Sequence, residues 1–225
     1  ADFLVEQFGH MGFRAEKVQV SAETNPLVLA QSPNPSPERP TVLVYGHYDV
    51  QGVDNPRSAW AIDPFAAEER DGFLIARGAS DNKGPSFAHL KAVEAILAAG
   101  DQPPVDLVFL IEGEEECGSR ALGQFVAEGG LEPFAPLLCT VISDTSMYGP
   151  DRPSLTLGLR GIVYTELEIA GPKQDVHSGL FGGIVRNPNQ LLVDALAGLV
   201  DAQGHITVPG FYEGIQPLSA REQSL

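Results

Sequence analysis

"VLVYGHYDVQ", residues 42–51, decides how the fold is read. Val42, Leu43, Val44 and Tyr45 form a short apolar run of the kind that buries a strand. Gly46 separates that run from His47 and Asp49. An imidazole and a carboxylate two residues apart, at the end of a buried strand, have two readings. One is a turn with a polar tip; the other is a ligand site at the edge of a sheet. Two more apolar runs repeat the pattern: "VDLVFLI" leads into "EGEEECGS", and "LLCTVIS" leads into Asp144.

Between the first two runs lies "DNKGPSFAHLKAVEAILAAG". There Phe87, Leu90, Val93, Ile96 and Leu97 recur at helical spacing, and Gly100 is a good terminator. "RALGQFVAEG" reads as a second, shorter helix. Apolar strands alternating with helices predict an α/β domain, with a mostly parallel sheet flanked by helices. In such sheets ligands bind beyond the carboxyl ends of the strands. His47, Asp49, Glu114 to Glu116 and Asp144 all fall there, and Asp81 sits just before the strong helix.

Around this frame, residues 3–13 read as the end of an amphipathic helix stopping near Gly9 or Gly12, and "KVQV" as a short strand. "AQSPNPSPERP", residues 30–40, is a Pro/Ser-rich surface loop. Asn55-Pro56 signals a turn, and Asp71-Gly72 a hairpin. After "LTLGLRG" the character changes. "IVYTELEIAG" alternates as a strand with one wet face does, and a glycine-rich stretch leads to the helix "NPNQLLVDALAGLVD". We divide the chain into residues 1–158 and 159–225, with the second part a smaller α+β domain.

The 225 residues carry 30 acidic against 14 basic side chains, a net charge of −16. Phosphate binding needs clustered Lys and Arg, so neither nucleic acid nor an anionic membrane is an expected partner. Hydrophobic residues make up 43%, enough for a sizeable core. No apolar run approaches transmembrane length and no signal peptide is visible. Cys117 and Cys139 do not make a disulfide framework, so free thiols in a reducing compartment, the cytoplasm, are expected.

Each polar candidate alone has a structural reading. His47 reads as a satisfied histidine, Asp49 as a turn residue, Asp81 as a helix N-cap, the glutamate run as a solvated patch and Asp144 as another cap. Together they are harder to explain that way. Carboxylates converging on one cleft repel, and bound cations relieve the repulsion. One imidazole with several carboxylates suits zinc, manganese or cobalt better than calcium or magnesium.

The segments "YGHYDVQ", "WAIDPF", "RGASDNKGP", "IEGEEECGS", "SDTSMYG", "LTLGLRG" and "DVHSGLFGG" carry a resemblance. In this order and spacing the chain resembles the dinuclear metallopeptidase family of carnosinases, cytosolic dipeptidases, aminoacylase-1, acetylornithine deacetylase and succinyl-diaminopimelate desuccinylase. "HYDVQ" and "DVHSGLFGG" are most similar to the dipeptidase branch. The resemblance implies hydrolysis of a dipeptide or short peptide with two divalent ions, zinc first, manganese or cobalt second. His47 and Asp144 would bind one ion and Glu116 the other, and Asp81, its peptide bond to Asn82 cis, would bridge them. Glu115 would be the general base and Asp49 would orient it. His177, in the smaller domain, would reach the substrate carbonyl, in relatives usually from the partner subunit of a homodimer. Aligning "EECGS" on the family pattern selects Glu115 and Glu116 and leaves Glu114 a bystander.

The resemblance also implies that the chain stops inside the lid or dimerisation domain, before a last histidine ligand of the second ion. His205 does not match that ligand and reads as a surface residue. Two alternatives stay open. One is an N-acyl amino acid deacylase or carboxypeptidase on the same scaffold; the other is a catalytically inactive metal-binding or dimerisation fragment. A dinucleotide-binding domain is excluded, because no G-x-G-x-x-G follows the first strand.

Overall fold

Helix α1 (Asp2–His10) opens the chain, followed by strands β1 (Arg14–Val18), β2 (Leu27–Gln31) and β3 (Thr41–His47). The hairpin β4 (Glu68–Arg70) and β5 (Phe73–Ile75) precedes helix α2 (Gly84–Ala98). Strand β6 (Asp106–Glu112), helix α3 (Arg120–Ala127) and strand β7 (Leu137–Ile142) complete this part. The structure is a computed structural model that describes residues 1–54, 56–149, 151–156 and 158–224. The first residue of the Asn55-Pro56 turn and Leu157 of "LTLGLRG" therefore lie outside the described residues. The chain divides into two compact units, Ala1–Thr156 and Leu157–Leu225.

The five-stranded sheet has the order β1-β2-β6-β3-β7. It is mixed. β6, β3 and β7 run parallel, while β2 joins β6, and β1 joins β2, antiparallel. The α/β expectation holds, and the parallel part is the part that carries the polar strand ends. β2 is the element that sequence patterns left unread. "LVLA" is apolar enough for a strand, but its place between β1 and β6 is a long-range pairing that no local period encodes.

All seven residues of β6 are buried. Alternate side chains serve opposite faces. Leu107, Phe109 and Ile111 join Phe8, Phe13, Val44, Leu90 and Val93 under α1 and α2. Val108 and Leu110 join Leu27, Leu43 and Ala121 under α3. Burial on both faces explains why the strand reads as an unbroken apolar run, and each such side chain contributes roughly 1.5–3 kcal/mol. At the other end of the sheet Asp106, 3% exposed, pairs with Arg39 at 2.6 Å and accepts from the Ser36 N–H at 2.7 Å. That pair pins the Pro/Ser-rich loop to the sheet.

Register aligns the polar ends. His47 pairs with Glu112 and Tyr45 with Ile142, so Glu115, His47 and Asp144 follow three adjacent strand ends. The expected hairpin forms at Asp71-Gly72, both with positive φ.

In the second unit, helix α4 (Ser178–Phe181) and helix α5 (Pro188–Ala197) form, the latter capped by the Asn187 side chain at 2.9 Å. The strand expected over "IVYTELEIAG" does not form; this stretch has no pairing partner among the described residues. Ile162, Val163 and Tyr164 are 65%, 75% and 88% exposed. An alternating segment becomes a strand only when a neighbour accepts its ladder bonds, and a lone strand gains nothing from its pattern. No helix among the described residues is long and apolar enough to cross a membrane.

Candidate metal centre

His47 ends β3 and is 1% exposed. Its Nε2 lies 3.0 Å from Asp81 Oδ1 and 3.4 Å from Asp144 Oδ2. One potential ligand atom from each of these three residues falls within 4.8 Å of the others. A tetrahedral zinc site with bonds of about 2.0–2.1 Å has ligand–ligand edges of about 3.3 Å. The two measured separations bracket that edge. One borderline nitrogen and two hard carboxylates suit zinc, manganese or cobalt, so the residues present fit one such cation.

The segment that presents Asp81 is an irregular turn, Ala79–Lys83, feeding α2. The Asp81-Asn82 peptide is cis, as the family resemblance implied. Asp81 does not cap α2, whose N-cap is Lys83 with no side-chain cap bond.

Asp49 holds two parts of the site together. Its Oδ1 lies 3.1 Å from His47 Nδ1 and accepts from the Glu115 N–H at 3.3 Å, while Oδ2 accepts from the Glu116 N–H at 3.0 Å. It thus sets the ring orientation of His47 and the pose of the turn that carries both glutamates. Glu115 is half-buried on the turn Glu115–Cys117. Burial pushes its carboxyl above the ordinary glutamate range; His47 offsets this in part, and Asp144, Glu116 and Asp81 add to it. The Glu116 carboxylate accepts from the Gln51 backbone at 3.2 Å and from the Gln51 amide at 2.8 Å. It is not one of the three clustered residues.

Glu114 is a structural anchor. It is 7% exposed, accepts from the Asn25 N–H at 3.1 Å and from the Ala121 N–H at 3.0 Å, and so ties the loop before β2 to the first turn of α3. Glu112, fully buried, accepts from the Tyr45 hydroxyl at 2.7 Å and the Ser119 hydroxyl at 2.8 Å. Burial first, and Glu112 second, push the Tyr45 phenol well up. A run of glutamates carries no periodic signal to separate anchors from reactive groups; the Asn25 and Ala121 partners are what distinguish them. Removing the Glu114 anchor orphans two N–H donors, so Glu114→Ala costs about 3 kcal/mol in urea unfolding. An unchanged midpoint contradicts that assignment.

His177, in the second unit, begins α4, and its Nδ1 accepts from the Gly179 N–H at 3.0 Å. His205 is an exposed residue that faces Asp201 at 3.1 Å.

His47 is pulled two ways. Burial, the largest influence, disfavours its charged form, but Asp144, Asp49, Glu115 and the Asp81 contact together raise its pKa above the ordinary histidine value. Because the folded pKa exceeds the unfolded one, its protonation stabilises the metal-free protein fully below about pH 6.5, and this contribution is lost as the pH rises through the folded value. A cation must displace that proton. Metal affinity therefore rises with pH, by up to about tenfold per unit, and levels off above the folded pKa. Calorimetric titration between about pH 6 and 8.5 checks this; affinity independent of pH across that window contradicts it.

Comparison with known proteins gives the family. Residues 43–214 match the model of the peptidase family M20/M25/M40. Beta-Ala-His dipeptidase of Rattus norvegicus is 38% identical, over 98% of this chain and 46% of its own length. The dipeptidase Dug1p of Saccharomyces cerevisiae superimposes with a TM-score of 0.72 at 33% identity, over 99% of this chain and 49% of that one. The M20 family metallo-carboxypeptidase Sso-CP2 of Sulfolobus solfataricus superimposes with a TM-score of 0.78 at 30% identity, over 99% and 49%. The chain spans about half the length of these relatives. With the family match running from β3 well into the second unit, the chain belongs to peptidase family M20/M25/M40.

Proposed function

We propose that this chain is the N-terminal part of the catalytic domain, with part of a lid, of a metal-dependent peptidase that hydrolyses dipeptides or short peptides. The observation that carries the reading is the convergence of His47, Asp81 and Asp144 beside a glutamate whose carboxyl is raised by burial. His47, Asp81 and Asp144 would hold one divalent cation, and Asp81 with Glu116 would contribute to a second. Zinc suits this donor set first, with manganese or cobalt as substitutes. A bound cation supplies Lewis acidity, polarising the scissile carbonyl and bringing a water's pKa towards neutrality.

The remaining steps belong to the chain's own groups. Glu115 takes a proton from the attacking water and delivers it to the leaving amine. Its raised pKa brings it closer to the working pH, where one carboxyl performs both transfers best. Asp49 holds the Glu115 and Glu116 amides and the His47 ring in place. His177, supplied by the partner subunit of the proposed dimer, would donate to the carbonyl oxygen as negative charge develops there. Residues 1–158 supply the metal centre, and residues 159–225 form part of a lid through which two subunits pair. The unpaired thiols Cys117 and Cys139 support a reducing, cytoplasmic setting.

Similarity to Beta-Ala-His and Cys-Gly dipeptidases supports dipeptides as substrates. Similarity to a metallo-carboxypeptidase supports a second reading, release of a C-terminal residue from longer peptides. A panel of dipeptides, longer peptides and N-acyl amino acids, given to the zinc-loaded protein at relative-like full length, decides between them. Turnover of dipeptides above both other classes is expected. Turnover of N-acyl amino acids alone contradicts the proposal, and so does no hydrolysis with zinc bound.

A further inference from the structure

Asn82 sits between the three segments that bring the centre together. It is 1% exposed, and its carboxamide uses both donors and both acceptor positions. Nδ2 donates to the Ser143 carbonyl at 3.1 Å and to Asp144 Oδ1 at 3.1 Å. Oδ1 accepts from the His47 N–H at 3.4 Å and from the Ser86 hydroxyl. The partners fix the amide's orientation. A carbonyl and a carboxylate only accept, and a backbone N–H only donates. The end of β3, the segment after β7 and the first turn of α2 therefore meet on one side chain, which is itself bonded through the chain to Asp81.

The consequence for Asp144 is specific. Its Oδ1 is committed to Asn82, while its Oδ2 faces His47 Nε2 at 3.4 Å. One carboxylate oxygen is anchored and the other is presented. Gly46 belongs to the same arrangement. A Cβ there would lie 3.0 Å from Asn82 Oδ1 and collide with the Ser86 hydroxyl. The glycine between "VLVY" and His47 is thus the space the amide network occupies.

We propose that Asn82 is a positioning residue for the His47–Asp81–Asp144 centre, holding the Asp144 carboxylate in its metal-binding pose before a cation arrives. This inference rests on the metal-centre reading above. A preset carboxylate loses no freedom on binding, so the amide's contribution appears as affinity and as ligand geometry. Groups that orient metal ligands in this way are worth roughly 10- to 100-fold in metal affinity.

Titration of Co²⁺ into the metal-free 225-residue chain, followed by calorimetry and visible absorption, tests the proposal. Asn82→Ala is expected to weaken Co²⁺ binding by roughly 10- to 100-fold and to change the intensity of the ligand-field bands, which report coordination geometry. Ser86→Ala, which frees only one acceptor contact, is expected to weaken binding several-fold. Co²⁺ affinity of folded Asn82→Ala within roughly twofold of the unmodified chain, with an unchanged spectrum, overturns the positioning role and leaves the metal centre standing. If Asn82→Ala does not fold, Ser86→Ala decides: unchanged affinity and spectrum overturn the role. An unmodified chain that takes up no Co²⁺ overturns the metal-centre reading itself.

Discussion

In the proposed peptidase, Glu115→Gln is expected to lower peptide hydrolysis by roughly 10²- to 10⁴-fold, the range that general acid–base catalysis supplies, and to leave metal content unchanged. The amide keeps the size of the side chain. It also keeps the Glu115 N–H to Asp49 contact at 3.3 Å, because that contact uses the backbone. What it loses is a group able to accept and return a proton. Glu115 is not among the clustered ligand residues, so the cation should be retained. Steady-state kinetics on a dipeptide, with elemental analysis of the same sample, separate the two effects. Near-normal turnover contradicts the base assignment. Loss of metal would instead make Glu115 a ligand.

Asp81→Ala weakens binding of the first cation by about 100-fold or more. Four-ligand zinc sites are worth roughly 10–16 kcal/mol in all, so each ligand contributes about 2.5–4 kcal/mol; tenfold corresponds to about 1.4 kcal/mol. The folding cost is small, because the Asp81 side chain is 58% exposed. Its removal also takes one negative charge from an acidic cluster, which relieves like-charge repulsion in the metal-free protein. At a pH above the folded pKa of His47, where no charged contact with Asp81 is left to lose, the expected result is a metal-free melting temperature equal to or above that of the unmodified protein, together with a weakened zinc titration. A normal zinc titration contradicts the ligand role. A collapse of the metal-free melting temperature would show that Asp81 is structural.

Much of the centre was legible because buried parallel strands seldom end in polar residues without cause. His47, Asp144 and the glutamate run each follow an apolar run, and parallel register places those ends side by side. The helix over "FAHLKAVEAIL" was legible from its period alone. β2 was not, because its antiparallel insertion depends on β6, whose Val108 to Ile111 lie about eighty residues away. The absent strand over residues 162–171 fails for the reverse reason: the local alternation is present, and no partner strand lies among the described residues. Within the site, composition could not sort four glutamates. Glu112 and Glu114 are buried anchors, and only their partners, Tyr45, Ser119, Asn25 and the Ala121 amide, reveal it. In "RGASDNKGP" the sequence drew attention to Asp81 and to its peptide bond with Asn82, while the Asn82 side chain shows its part only through its partners Ser143, Asp144, His47 and Ser86.

The most direct test of the account is the zinc content of the purified chain, measured by elemental mass spectrometry after zinc loading and dialysis, with Asp81→Ala and Asp144→Ala alongside. One tightly held zinc per unmodified chain, carried by His47, Asp81 and Asp144, is expected, with its loss in both variants. A chain that holds no zinc, or variants that hold as much as the unmodified chain, would contradict it.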